Sequence, residues 1–128
     1  RRTGPLALQQ AGVTHDDIDM AMIYDSFTIT VLCTLEDLGF CNKGEGGDFV
    51  SGGRLQLGGA LPINTDGGAL SSNHPGMRGI FLLIEGTIQA RGEGGLRQVP
   101  NCQVVLCHGT GGTIGVRHAG ATAVLARD

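Results

Sequence analysis

Glycine restricts the folds open to this chain more than any other residue. The sequence holds 23 glycines and four prolines in 128 residues, with four phenylalanines and one tyrosine. Glycine adopts positive φ and lets two backbone segments approach closely, but it weakens the interior of helices and strands. We therefore expect much of the chain to be shaped loop, with tight turns between short elements.

The rest of the composition is that of a globular domain. Hydrophobic residues make up 41% of the chain and charged residues 16%, which excludes a disordered, collagen-like or coiled-coil protein. A chain of 128 residues is long enough for one core. We therefore expect a single domain over residues 1–128.

Charge and cysteine content exclude several kinds of partner and site. The formal net charge is −3 and no basic stripe is present, so nucleic acid is not expected as a partner. No apolar run reaches the roughly 18 residues that a membrane helix needs. The four cysteines form no C-x-x-C pair, which indicates neither a metal site nor a disulfide framework. We expect a cytoplasmic protein with no bound cofactor.

Hydrophobic periodicity predicts a layered α/β fold, in which helices cover a mixed sheet. Apolar residues recur at helical spacing from Ser26 to a stop at Gly39, and Pro75 suits the first turn of a later helix. The glycine-rich stretch 42–59 predicts a long loop. The predicted helices are 5–11, 26–38 and 75–91, and the predicted strands are 18–24, 102–107 and 121–126, the last two being antiparallel neighbours joined by 108–120.

His74 is the first candidate for chemistry, because it directly precedes the predicted helix that begins at Pro75. Free backbone N–H groups and the positive end of the helix dipole disfavour an imidazolium there. A neutral imidazole can donate a hydrogen bond to an oxyanion or accept a proton. An ordinary capping role is the alternative.

Cys107 is the second candidate, at the predicted end of an apolar strand. The glycine-rich turn expected after it, with Gly109 and Gly111, would let backbone approach a ligand closely. A thiol near a histidine can act as a proton shuttle or nucleophile. The alternative is a small buried hydrophobic residue.

Tyr24 is the third candidate, at the carboxyl end of the first predicted strand, where α/β sheets gather ligands. Its hydroxyl could orient a water or donate a proton, and the alternative is a half-buried aromatic residue. We expect packing roles for Cys33, Cys41 and Cys102, and solvated positions for His15 and His118.

Three blocks, in order, resemble the C-terminal half of the thiolase superfamily. The family's landmarks there are N-E-A-F, then N-x-x-G-G leading to G-H-P, and finally C-x-G. The corresponding blocks here are Tyr24-Asp25-Ser26-Phe27, Asn64-Thr65-Asp66-Gly67-Gly68 with Asn73-His74-Pro75, and Cys107-His108-Gly109. The stretches 35–40 and 44–50 are most similar to the sterol carrier protein X and lipid-transfer-protein branch.

The resemblance implies roles for these blocks. His74 would help to form the oxyanion hole, and Cys107 would be the acid/base of a Claisen condensation or its reverse. The substrate-binding residues would be Asn64, Gly67, Gly68, Asn73, Gly109 and Gly111. Two positions depart from the family pattern, since Tyr24 replaces an asparagine that orients a catalytic water and Asn73 replaces a glycine.

The implied activity is that of a thiolase-like acyltransferase, with an acyl-CoA as substrate and coenzyme A as substrate or cosubstrate. The nucleophilic cysteine of the family belongs to an N-terminal half, which would be a partner, and the first strand of the C-terminal half would lie before Arg1. A homodimer and a small OB-fold partner are also implied. Tyr24 keeps open a retro-aldolase acting on a steroid-like acyl-CoA, and the missing nucleophile keeps open a non-catalytic acyl-CoA or lipid binding module.

Overall fold

The computed structural model describes residues 2–72, 76–111 and 119–127. Four α-helices and three strands occur in these ranges, together with short 3-10 turns at His15–Asp17 and Gly95–Arg97. The elements in chain order are α1 (Thr3–Ala11), β1 (Met20–Ile23), α2 (Thr28–Leu38), α3 (Gly46–Phe49), α4 (Arg78–Ala90), β2 (Val104–Gly111) and β3 (Ala119–Ala126). The predicted α/β class is confirmed.

The three strands form one mixed sheet in the order β1-β2-β3. β1 runs parallel to β2, with Met22 opposite Cys107 and Ile23 opposite His108. β3 runs antiparallel to β2 along its whole length. Within the described residues, β3 has a strand partner along one edge only. Both the mixed sheet and the antiparallel pairing of the last two strands agree with the prediction.

The sheet is covered by helices on both faces. Apolar side chains alternate between the two faces of β1 and β2, as the two-residue period of a strand requires. On one face Ala21, Ile23 and Leu106 pack with Leu35 and Leu38 of α2. On the other face Met20, Met22, Val105 and Cys107 pack with Leu82 of α4. All four residues of β1 are buried, so this strand lies at the centre of the core.

Gly39 ends α2 as predicted, because it takes the left-handed backbone conformation (φ +94°) that closes a helix. His15 binds this helix end, with Nε2 2.9 Å from the carbonyl oxygen of Leu38, and its ring meets Phe40 edge-on. The prediction that His15 is a solvated turn residue is therefore wrong. His118 lies outside the described residues.

The prediction that Cys107 ends a strand is wrong. β2 continues through Gly111, since Gly109 pairs with Ala121 and Gly111 pairs with Ala119. The glycines at this end have little strand propensity of their own, and pairing with β3 compensates for it. Cys107 thus lies in the middle of a strand, not at its mouth.

Other predicted boundaries also move. α2 begins at Thr28 rather than Ser26, because Phe27 is extended (φ −150°). α4 begins at Arg78, because Met77 before it is left-handed (φ +52°). Part of the predicted loop 42–59 forms α3. The first helix begins at Thr3, β1 is shorter than predicted, and β3 is longer.

The three cysteines predicted to pack differ in exposure. Cys102 is buried as expected, whereas Cys33 is exposed, so its predicted packing role is wrong. Cys41 is partly exposed.

No helix among the described residues is long and apolar enough to cross a membrane.

Candidate functional site

A pocket of about 760 Å³ opens where β1 ends and β2 approaches its own end. Because the two strands are parallel, the residues that follow β1 lie beside the second half of β2. The backbone N–H of Tyr24 donates to the carbonyl oxygen of His108 at 2.9 Å, which fixes Tyr24 at this edge. Tyr24, Gly109 and Gly111 all line the pocket, so the structure brings together three of the predicted site residues.

At the glycines of β2, the wall of the pocket is formed by backbone without side chains. A Cβ atom added at Gly109 would come no closer than 3.9 Å to Gly79 and Leu82, and one added at Gly111 would meet nothing within 4 Å. A larger side chain at either position would occupy the pocket itself. That a ligand meets the backbone here stays a prediction, for which the two glycines leave space.

Cys107 lies beneath α4 and is not among the described residues that line the pocket. Its side chain is buried, and its thiol donates to the carbonyl oxygen of Leu82 at 3.4 Å. A Cβ atom at Gly86 would be only 2.9 Å from Sγ, so the helix packs directly on the sulfur. Burial raises the pKa of the Cys107 thiol to about 12. In this state the group is a neutral thiol at physiological pH.

The side-chain amide of Asn64 forms hydrogen bonds with the backbone at the end of β1. Oδ1 accepts from the backbone N–H of Ile23 at 2.8 Å, and Nδ2 donates to the carbonyl oxygen of Ile23 at 2.9 Å. Its own backbone is left-handed (φ +48°), which asparagine tolerates better than most residues. Asn64 therefore holds the last residue of β1, directly before Tyr24.

Gly67 and Gly68 form a turn that closes around Asp25. The buried Asp25 carboxylate accepts from the backbone N–H groups of Ala69, at 2.7 Å, and Leu70, at 3.2 Å. Both glycines have positive φ, and a Cβ atom at Gly68 would overlap the Asp25 carboxylate. Asp25 thus ties this turn to the end of β1.

Asp25 was not predicted as a site residue. Its place between Tyr24 and Ser26 in the first block was the available signal. Its partners lie more than 40 positions away, where sequence periodicity carries no information.

Arg78 is a pocket residue that the sequence reasoning missed. Its side chain is 5% exposed, and Nη2 forms an ion pair with Asp66 Oδ2 at 2.5 Å. Nη1 donates to Ser72 Oγ at 3.3 Å, and the guanidinium lies 5.3 Å above the ring of Phe81. The signal in the sequence was isolation, since Arg78 is the only lysine or arginine between Arg54 and Arg91.

A buried carboxylate on α4 hydrogen-bonds to residues near the site. Glu85 accepts from Thr65 Oγ1 at 2.7 Å, from Gln89 Nε2 at 3.0 Å and from two nitrogens of Arg97 at 2.9 Å each. Burial alone would raise the pKa of Glu85, but the hydrogen bonds from Arg97, Gln89 and Thr65 outweigh it and hold that pKa below its usual value. The network joins α4 to the segment that carries Asn64.

His74 and Asn73, predicted for catalysis and substrate binding, lie outside the described residues. The described neighbours on either side are Ser72, which is bonded to Arg78, and Gly76, which lines the pocket. His108 is described, and it is not among the described residues that line the pocket. Its Nδ1 lies 2.8 Å from Thr122 Oγ1, and burial lowers its pKa.

Within the described ranges, no cluster of three or more histidine, cysteine or acidic side chains could hold a metal ion. A phenol and a guanidinium line the pocket, and small residues leave space for a ligand.

Comparison with known proteins places residues 1–127 in the family model described as thiolase C-terminal domain-like. The chain is 40% identical over 110 residues to an acetyl-CoA acetyltransferase of Methanothermobacter thermautotrophicus, which covers 85% of this chain and 29% of that protein. It is 49% identical over 84 residues to a 17-hydroxy-3-oxo-4-pregnene-20-carboxyl-CoA lyase of Mycobacterium tuberculosis, covering 65% of this chain and 21% of that protein.

Among solved structures, the chain is similar to the Ltp2-ChsH2(DUF35) aldolase, with a TM-score of 0.78 and 38% identity. The match covers 97% of this chain and 31% of the solved one. The chain therefore spans less than a third of each of these three proteins.

Proposed function

Since the chain belongs to the thiolase C-terminal domain-like family, we propose that it forms the C-terminal part of an acyl-CoA enzyme that breaks a carbon–carbon bond by retro-aldol cleavage. The family membership confirms the predicted resemblance. The observation that carries the proposal is the contrast between Tyr24, which lines the pocket, and Cys107, whose thiol is buried beneath α4. This reverses the order expected from the sequence, in which thiolase-type acyl transfer came first.

The proposed reaction needs a base and a place for negative charge. Tyr24 would be the general base that takes the proton from the hydroxyl on the β-carbon of a β-hydroxyacyl-CoA. The bond between the α- and β-carbons then breaks, and the β-carbon leaves as a ketone or aldehyde. The bond's electron pair forms the enolate of the shortened acyl-CoA, which takes up a proton at its α-carbon. No oxidant or further reactant is needed.

Two of the relatives support this reaction class. The lyase of Mycobacterium tuberculosis, at 49% identity, acts by its name on a steroid carboxyl-CoA. The solved relative, at 38% identity over 97% of this chain, is named an aldolase. We propose a steroid-like or other bulky β-hydroxyacyl-CoA as substrate, because the pocket has apolar residues such as Phe27 and Met77 in its wall.

Thiolase-type acyl transfer remains the second candidate. It is favoured by 40% identity to an acetyl-CoA acetyltransferase over 85% of this chain. In that reaction His74 would polarise the thioester and Cys107 would move the proton, with Asn64, Gly67, Gly68 and Asn73 forming the substrate site around them. It requires the Cys107 thiol to reach a substrate, and α4 now covers it.

We propose an N-terminal thiolase half as the principal partner. The residues of α4 and its N-cap that face away from the sheet are apolar and exposed, namely Met77, Ile80, Phe81 and Ile84. A contiguous apolar stripe on one helix is typical of a surface that another protein element covers. A homodimer and a small OB-fold partner are proposed on the family resemblance, and the solved relative's name pairs it with a second component, ChsH2(DUF35).

The test uses the complete protein that carries this chain, with a β-hydroxyacyl-CoA and a 3-ketoacyl-CoA as alternative substrates. We expect release of a ketone or aldehyde from the first, and at least about a hundredfold loss of rate in Tyr24→Phe. Cys107→Ala should retain activity within about threefold, as should Cys102→Ala, a matched buried thiol on the same face. Thiolytic cleavage that depends on His74 and Cys107 would instead establish the second candidate, and acyl-CoA binding without turnover would establish a binding module.

A further inference from the structure

Arg78 is the only charged residue among the described residues that line the pocket. The rest of the described wall consists of Tyr24, hydroxyl-bearing and apolar residues, and glycines. Long charged side chains are rarely buried unless they are paired. A buried arginine at the same pocket as Tyr24 therefore calls for an explanation beyond surface solubility.

The guanidinium of Arg78 has more donors than partners. An arginine carries five N–H donors. The described residues accept two hydrogen bonds from it, Asp66 through a single oxygen and Ser72 at 3.3 Å. Nε is buried and has no hydrogen-bond partner among the described residues. A buried N–H without an acceptor is costly, and in native proteins such a group usually has a role.

The surroundings of Arg78 suit one anionic oxygen. Arg78 is the first residue of α4, where the helix dipole adds positive potential. The ring of Phe81 lies 5.3 Å from the guanidinium carbon, within the range of a cation–π contact. Asp66 neutralises part of the charge, so the site is not positive enough for a diphosphate, and the described wall has no second basic residue.

We propose that Arg78 binds the thioester oxygen of the acyl-CoA and stabilises the enolate that forms on it. This rests on the proposed function, because the enolate is the product of the bond cleavage described above. When the bond between the α- and β-carbons breaks, its electron pair places negative charge on the thioester oxygen. Spare N–H groups of Arg78 donate hydrogen bonds to that oxygen, and Arg78 keeps its own protons throughout.

The experiment measures the enolate directly rather than turnover. Acetoacetyl-CoA enolises, and its enolate has its own ultraviolet absorbance band, so the fraction of bound enolate can be followed against pH in the complete protein. A hydrogen bond to a charged group predicts that Arg78→Gln lowers the enolate equilibrium by about tenfold to a hundredfold. Arg91→Gln, which removes an exposed arginine at the far end of α4, should change nothing.

Asp66→Asn separates enolate binding from a purely structural role. This variant removes the ion pair that holds the turn but leaves every donor of Arg78 in place. We expect it to lower the enolate equilibrium by less than about threefold. If Asp66→Asn and Arg78→Gln lower it equally, Arg78 only holds the turn and the proposal fails. Circular dichroism monitors folding, and Arg78→Lys, which keeps the ion pair but lacks Nε, gives a second test with at least about a threefold loss.

Acetoacetyl-pantetheine, which lacks the nucleotide phosphates, distinguishes the two possible sources of the anionic oxygen. The proposal expects Arg78→Gln to lower the enolate equilibrium of both thioesters. An effect confined to the CoA thioester would assign Arg78 to a phosphate and overturn the proposal. Failure of this inference can be told apart from failure of the proposed function. If the protein cleaves β-hydroxyacyl-CoA but Arg78→Gln leaves the enolate equilibrium unchanged, only this inference is wrong. If Arg78→Gln lowers the enolate equilibrium but the protein does not cleave β-hydroxyacyl-CoA, only the proposed function is wrong.

Discussion

The carboxylate of Asp25 occupies the space that a side chain at Gly68 would need. Asp25 lies just after β1, and Gly68 lies in the turn whose backbone N–H groups bind that carboxylate. The two residues are 43 positions apart in the sequence, yet each restricts what the other can be. This contact fixes the turn that precedes His74 against the end of β1.

Gly68→Ala should therefore destabilise the protein. Its φ of +71° is unfavourable for alanine, and the added methyl group would force the Asp25 carboxylate away from Ala69 and Leu70. We expect a loss of about 2 to 4 kcal/mol in the free energy of unfolding, measured in urea. Gly47→Ala is the matched control, because its backbone is ordinary and a methyl group there meets nothing within 4 Å. Equal stabilities for the two variants would contradict the close packing at Gly68.

Cys107 should react far more slowly than Cys33. Burial raises the pKa of the Cys107 thiol to about 12, whereas Cys33 is exposed on α2. Because the thiolate is the reactive form, alkylation of the native protein by iodoacetamide at neutral pH should modify Cys33 at least about a hundredfold faster. Peptide mass spectrometry over a time course measures both rates. Comparable rates would mean that Cys107 is accessible, as the acyltransferase mechanism requires.

Substitutions at Gly86 and Cys107 should have non-additive effects on stability. A methyl group at Gly86 would be 2.9 Å from Sγ of Cys107 and 3.0 Å from Leu125, so Gly86→Ala overpacks the helix against the sheet. We expect it to lower the free energy of unfolding by about 1 to 3 kcal/mol. Adding Cys107→Ala removes the sulfur and should restore part of that loss. A double-mutant cycle measures the coupling, and strict additivity would show that the sulfur does not limit the helix position.

Arg97→Met should leave the buried Glu85 carboxylate without its main counter-charge. Removing one partner of a buried ion pair is strongly destabilising, and the half-exposed Arg97 side chain moderates the effect. We expect a loss of about 2 to 3 kcal/mol in the free energy of unfolding. Arg91→Met, which removes an exposed ion pair with Glu93, should change it by less than about 0.5 kcal/mol. Thermal melts of the two variants provide the comparison.

The same carboxylate gives the protein a defined response to acid. The pKa of Glu85 is lower in the folded protein than its ordinary value of 4.5. Its contribution to stability is therefore complete above pH 4.5 and is lost as the pH falls through the lower folded value. Urea titrations at several acidic pH values should show this loss in the wild type and a shallower one in Glu85→Gln. An unchanged pH slope in Glu85→Gln would assign the acid sensitivity to other groups.

Local signals in the sequence were enough to predict the order of the α-helices and strands, except for α3, which falls in a stretch predicted as loop. Gly39 ended its helix as expected, because a left-handed cap favours glycine whatever the rest of the fold does. The end of β2 could not be predicted in the same way. Gly109 and Gly111 have little strand propensity of their own, and residues 108–111 are extended because β3 pairs with them.

The site was predictable only in part for a related reason. Tyr24 follows from the rule that ligands gather at the carboxyl ends of strands in α/β sheets. Gly109 and Gly111 follow from the glycine-rich turn that was expected after Cys107. Asp25 and Arg78 owe their positions to partners that the chain brings in from elsewhere, and no periodicity marks them. Cys107 was predicted at the end of a strand, next to a ligand, because that strand was predicted to end four residues too early.

The one-sided pairing of β3 has a practical consequence for handling this polypeptide. Its eight residues, Ala119–Ala126, contain neither a charged residue nor a proline. Those are the features that usually keep a free strand edge from adding a strand of another molecule. A preparation of these 128 residues alone should therefore be prone to intermolecular β-pairing and precipitation. A lysine at an outward-facing position of β3 is the simplest way to keep it in solution.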